Sequence, residues 1–216
     1  MLKTAKPYSD ESFYGYILRL ATLNFYSNSK WICDRANIPT SYFSKIDFTP
    51  VKGEALVQLS EITGIEQNVL NALTYNLPDE LPCRMFKNNL KILNQIVHKY
   101  FLYHDRLKFC PACLAEKPYH RKIWDVLIVT VCPIHGNLLV DLCSKCKTPI
   151  AWEKPPLLYC QCGQACRKIK PKHELKRSDV CLSWYVYKLC NLPIAGSWKS
   201  SLLEALAKNL LDGEKL

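Results

Sequence analysis

Four cysteine-bearing turns hold the residues of this sequence best suited to chemistry. Cys110-Pro111-Ala112-Cys113 offers two thiols, and Cys132-Pro133-Ile134-His135 offers a thiol and an imidazole at the same spacing, with 18 residues between the pairs. A tight turn of this kind aims both ligands at one point, and two such turns complete the tetrahedral shell that zinc takes. A second set follows at once: Cys143-Ser144-Lys145-Cys146 and, 13 residues on, Cys160-Gln161-Cys162-Gly163. Cys143, Cys146, Cys160 and Cys162 predict an all-cysteine site, with Gly163 permitting a sharp turn beside the ion. Cys166 competes for the last position, because Cys162 and Cys166 are also spaced like a knuckle. Both sites are closed by protein ligands. With no open position for substrate or water, two structural zinc ions and no catalysis are expected.

The other chemistry-bearing residues are cations. The formal charge of +10 is unevenly placed: residues 1–82 hold 7 basic and 9 acidic side chains, and residues 83–216 hold 22 and 10. Arg167, Lys168, Lys170, Lys172, Lys176 and Arg177 fall within 11 residues, opposed by Glu174 alone. That density predicts a polyanion-binding surface, with the DNA or RNA backbone as partner, and Arg121 and Lys122 join it as candidates. Twelve cysteines without an apolar export core near Met1 point to metal and reduced thiols rather than disulfides. The longest apolar run, near Val126–Val129, is far below the roughly 20 residues needed to cross a bilayer. Secretion and membrane insertion are therefore not expected. Seven glycines leave no phosphate-cradling loop for a Walker-type ATPase.

The elements that must position these residues read mainly as helices. Ser9-Asp10-Glu11-Ser12 is a helix start with acids in the first turn, followed by Phe13, Ile17, Leu20 and Ala21 at helical spacing and ended by Asn24. Trp31 to Ala36 forms a short second helix. Ala55, Leu56, Leu59 and Ile62 share one helical face; Gly64 caps that helix, and Val69, Leu70 and Leu73 line the next. This is a helix-turn-helix outline, but Glu66 to Tyr75 contains no Lys or Arg. Phosphate contacts need cations, so protein contact or core packing is expected ahead of DNA reading. Pro78 to Pro82 mark a linker. Leu90, Leu93, Val97 and Phe101 predict a helix over 87–104. After the cysteines, Ser178-Asp179 opens a helix carrying Val180, Trp184 and Tyr187, and Ser201-Leu202-Leu203-Glu204 opens a last one closed by Gly213.

The fold class that follows is mainly α with small zinc-stabilised β elements. The expected order is a helix-turn-helix-like domain over 1–82, a connecting helix within 83–108, a tandem zinc-finger domain over 109–170, and a basic segment with C-terminal helices over 171–216.

In this order the motifs resemble the TniQ family of transposon targeting proteins, which includes TnsD-like target selectors. The resemblance rests on Pro7, Asp10-Glu11-Ser12, Tyr16, Leu18-Arg19-Leu20-Ala21 and Asn24, then on Phe109-Cys110-Pro111, Cys113-Leu114-Ala115-Glu116, Pro118-Tyr119-His120-Arg121 and Trp124, and on Val131-Cys132-Pro133, His135-Gly136, Leu138-Leu139 and the second cysteine set. It implies an adaptor in a bacterial cytoplasm, associated with DNA and not itself a transposase. Such an adaptor stands between a target-recognition module and an AAA+ transposition ATPase of the TnsC/TniB kind. The short chain leans towards an RNA-guided CRISPR effector, or its guide RNA, as that module. A direct, sequence-specific DNA-binding selector or regulator is the alternative. Dimerisation is left open by the sequence.

Overall fold

The protein is described from a computed structural model over residues 3–39, 50–78, 88–102, 106–150, 159–170 and 177–192. Among these residues the architecture is mixed, with six α-helices and two separate two-stranded antiparallel ribbons. The N-terminal helices are α1 (Phe13–Leu23), α2 (Lys30–Arg35), α3 (Gly53–Thr63) and α4 (Gln67–Leu73). Then come β1 (Asn89–Ile92), β2 (Gln95–His98), α5 (Pro111–Glu116), β3 (Val131–Cys132), β4 (Asn137–Leu138) and α6 (Arg177–Leu189). No helix among the described residues is long and apolar enough to cross a membrane.

The apolar spacing read on α1, α3 and α4 is largely realised, with Ile62 and Val69 partly buried. Phe13, Ile17, Leu20 and Ala21 are buried on α1, and Ala55, Leu56 and Leu59 on α3. Gly64 ends α3 in the left-handed region at φ 69°, where its N–H reaches Ser60 O at 2.7 Å. Leu70 and Leu73 of α4 close the same core. The start of α1 differs from expectation. Ser12 is the cap, its hydroxyl accepting from Gly15 N–H at 3.1 Å, and the first turn holds no acid. Asp10 and Glu11 precede the cap and are buried, because they pair with cations elsewhere in the fold.

Residues 89–98 form a hairpin, not the expected helix. Leu90 pairs with Val97 and Lys91 with Ile96, and Leu93 turns the chain at φ 55°. Leu90, Leu93, Val97 and Phe101 do lie at helical spacing, but Leu90 and Ile92 alternate with half-buried Asn89 and Lys91 at period two. The β-branched residues Ile92, Ile96 and Val97 favour that pleated surface over a helix. The hairpin bridges both regions: Lys91 N–H bonds Tyr75 O at 3.0 Å, and the Gln95 side chain donates to Leu189 O of α6 at 2.8 Å.

The expected boundary near residue 82 lies outside the described residues, and buried side chains on either side of it belong to one cluster. One continuous cluster of buried side chains runs from Phe13 through Trp124 to Tyr187 and Cys190. Its centre is a 3-10 turn over Lys122–Asp125, where Ile123 and Trp124 are fully buried and the Trp124 indole donates to Tyr187 OH at 3.2 Å. The second tail helix expected from Ser201 lies outside the described residues, as do the expected linker residues after Pro78.

Residues 10–12 dock on 119–121. Tyr119 OH donates to Asp10 Oδ1 at 2.7 Å, Arg121 forms a close ion pair with Asp10, and Ser12 N–H bonds His120 O at 2.9 Å. His120 is wholly buried, and burial pulls its imidazole down to about 3, so the ring is neutral. Ser12 Oγ lies 3.0 Å from Nδ1 and Lys108 O lies 3.0 Å from Nε2. The Ser12 hydroxyl therefore donates to Nδ1, and Nε2–H donates to the carbonyl.

Gly15 is where α1 comes closest to this joint. A methyl group there would stand 2.8 Å from Ser12 Oγ and 2.9 Å from His120 Cβ. Gly15→Ala improves helix propensity by about 1 kcal/mol, yet the crowding is expected to win, for a net loss of about 1–3 kcal/mol. Denaturant unfolding of the variant checks this; a midpoint at or above that of the parent chain would contradict the close packing.

Candidate metal centres

The eight predicted ligands converge as two groups: Cys110, Cys113, Cys132 and His135, and Cys143, Cys146, Cys160 and Cys162. Within each, the four donor atoms lie within 4.8 Å of one another. In the first group Cys113 Sγ is 3.5 Å from Cys132 Sγ, and His135 Nδ1 is 3.7 Å from Cys110 Sγ and 3.2 Å from Cys113 Sγ. A tetrahedral ion bound by thiolates at about 2.3 Å requires sulfur–sulfur edges of about 3.8 Å. The second group has matching separations, 3.6 Å for Cys143–Cys162 and 3.5 Å for Cys146–Cys160. Both groups could thus hold a metal ion. Their donors, thiolate and imidazole, suit a borderline or soft cation.

Local backbone explains the convergence. Cys110 is the residue before α5, Pro111 occupies the first helical position, and Cys113 follows on the first turn. The Cys132 turn is closed by Gly136 N–H to Cys132 O at 2.7 Å, with Gly136 at φ 64°. The Cys143 turn closes in the same way, Lys147 N–H to Cys143 O at 3.0 Å, but places a lysine at φ 61° where the first site has glycine. Lys147→Gly is therefore expected to stabilise the fold by up to about 1 kcal/mol, seen as a rise in the unfolding midpoint. Gly163, at φ 82°, turns the chain beside Cys160 and Cys162 as expected. Cys166, the rival fourth ligand, is buried on a 3-10 turn over Cys166–Lys168 and stays outside the group.

Two supporting residues escaped the sequence reading as supports. His135 Nε2 lies 2.8 Å from Glu116 Oε1, so the ring donates to the carboxylate and turns the Nδ1 lone pair towards the three sulfurs. Glu116 stands three residues after Cys113 on α5, and that helical spacing was the available signal. At the second site Thr148 Oγ1 is 2.9 Å from Cys146 Sγ, close enough to stabilise a thiolate. Glu116→Ala is expected to weaken metal binding at the first site by about 10–100-fold. Competition with a chromophoric chelator measures this, and Glu116→Gln, which retains an acceptor, should lose less.

The expected cation surface is only partly realised. Arg167, Lys168 and Lys170 are exposed on the strip that follows the second group. Lys172 and Lys176 lie outside the described residues, and Arg177 opens α6. Arg121 and Lys122 are not surface contacts. Arg121 is committed to Asp10, and Lys122, 1% exposed, donates to Ala72 O and Thr74 O at 2.6 Å each. Burial brings the Lys122 amine down to about 7. Its position between two knuckles suggested exposure, whereas the carbonyls that end α4 draw it inward.

Residues 3–139 match the model of the TniQ family. That stretch contains the docking of residues 10–12 on 119–121 and the whole first cysteine–histidine group, and it ends before Cys143. No curated protein matches the chain.

Proposed function

The chain belongs to the TniQ family, a family of transposition-associated accessory proteins, and on that premise we propose that it is an adaptor in target-site selection. In this role it links a target-recognition module, an RNA-guided CRISPR effector with its nucleic acid, to an AAA+ transposition ATPase. The observation that carries the reading is the family match over residues 3–139, which takes in the net acidic residues up to 82 and the first cysteine–histidine group. Two structural zinc ions hold the basic region, one in each cysteine group, and no catalytic step is assigned to the chain. The net acidic residues 1–82 meet a protein partner, and the exposed strip Arg167, Lys168 and Lys170 meets a DNA or RNA backbone.

Copurification of the chain with an AAA+ ATPase and an effector from the same element tests the adaptor role; a chain that joins neither would end it. Reversing the charge of Arg167, Lys168 and Lys170 together tests the polyanion contact. Each lost phosphate contact should flatten the slope of log affinity against log salt by about 0.9 for duplex DNA. An unchanged slope would remove the nucleic-acid contact.

The α3–turn–α4 pair keeps a direct DNA-reading selector as the second reading. Tight, sequence-dependent duplex binding by the chain alone would favour it. The absence of Lys and Arg from Glu66 to Tyr75 weighs against it.

A further inference from the structure

Against the second cysteine group, with Cys143 in its wall, lies a groove of about 480 Å³. Leu138, Val140, Leu142 and Ile169 line it with apolar surface. Leu127, which also lines it, is 41% exposed and extends the apolar surface outwards. Its N–H bonds Phe101 O at 2.7 Å, and Tyr100, Phe101 and Ile128 are exposed beside it. Exposed apolar side chains gathered beside an apolar groove are what an interaction surface presents. Lys147, whose Nζ donates to Ser144 O at 2.6 Å, and Lys170 line the groove and are exposed; buried Lys108 lines it too, and the groove's carboxylate, Asp141, is paired with Arg106 at 3.2 Å.

These features select the occupant. Phosphates could pair with the lysines at the border but would lose hydration against the leucine walls, which offer them nothing in return. Apolar side chains gain about 25 cal/mol per Å² on entering the same space. A basic border around an apolar groove complements a segment whose acids flank a stripe of apolar residues. We infer that this groove docks an acidic amphipathic segment of a protein partner, so that the basic region of the chain binds protein as well as polyanion.

The test uses the full metal-loaded chain and fluorescence anisotropy. The probe is a labelled peptide about four helical turns long, with leucines along one face and glutamates flanking them. A twin replaces the leucines by serines and keeps every glutamate. The parent chain should bind the first peptide saturably and the serine twin at least about tenfold more weakly. Leu127→Glu and Lys170→Glu should each weaken the first peptide by about tenfold, with metal content and unfolding midpoint unchanged. Equal binding of the two peptides would reduce the effect to general charge attraction and overturn the inference. Absence of saturable binding would overturn it too. A duplex oligonucleotide that displaces the peptide and itself loses affinity with Leu127→Glu would make the groove a nucleic-acid site and overturn it as well.

Discussion

Stripping the metal from the purified chain is expected to collapse the tertiary structure of its second half. The described residues there contain little that stands unaided: β3 and β4 are two residues each, and other pairings are isolated bridges such as Phe109–Val140 and Leu142–Pro149. Ribbons of that size are not stable alone in water. A structural ion commonly contributes on the order of 10 kcal/mol to folding in small modules, comparable with the whole stability of a typical domain. Because Cys110, Cys113 and Cys132 belong to the same buried cluster as Phe13 and Trp124, the loss should spread to α1. Near-UV circular dichroism, followed with metal content during chelation, checks this. A metal-free chain with an unchanged signal and unfolding midpoint would defeat the metal-centred reading of both sites.

The second large effect is expected at Glu11. Its carboxylate is fully buried and grips Arg19 with two hydrogen bonds of 2.7 Å, while Oε2 also accepts from Tyr8 N–H at 3.1 Å. Burial raises the Glu11 pKa above the ordinary carboxylate value, and the Arg19 guanidinium acts against that rise. Glu11→Ala leaves a mostly buried guanidinium without its counter-charge, at a cost of about 3–5 kcal/mol. That is a large share of a stability usually near 0.1 kcal/mol per residue. Replacing both partners by apolar residues should cost less than Glu11→Ala alone, since no unpaired charge remains. Chemical denaturation of the two variants beside the parent chain gives the comparison; a double variant at least as unstable as the single one would show that the pair does more than neutralise itself.

How legible these features were in the sequence depended on what signalled them. The eight metal-site residues were legible because ligand type and turn spacing are local. Helices α1, α3 and α4 were legible because their apolar positions repeat at a single period. The 89–98 hairpin was hidden, since its leucines satisfy a helical stripe by coincidence and Leu93 adopts the left-handed turn without a glycine to announce it. Lys122 and Arg121 were read as surface cations because charge in a loop is ordinarily solvated. Only the fold reveals the carbonyls of Ala72 and Thr74 and the carboxylate of Asp10 waiting for them. Asp10 and Glu11 failed in the opposite way: acids at a helix start suggest a dipole role, whereas Asp10 pairs with Tyr119 and Arg121 far along the chain and Glu11 with Arg19 two turns into α1.

The joint between Asp10 and Tyr119 spans 109 positions of the chain. A ribosome therefore emits the first helix long before the surface that receives it exists. Until residues 119–126 emerge, the buried face of α1 can meet α2, α3 and α4 but not the segment that completes its core. Capture of an ion by Cys110, Cys113, Cys132 and His135 brackets that same receiving segment. If that group holds its ion as proposed, a chain made without metal should lose the surface that receives residues 10–12 as well as the site itself.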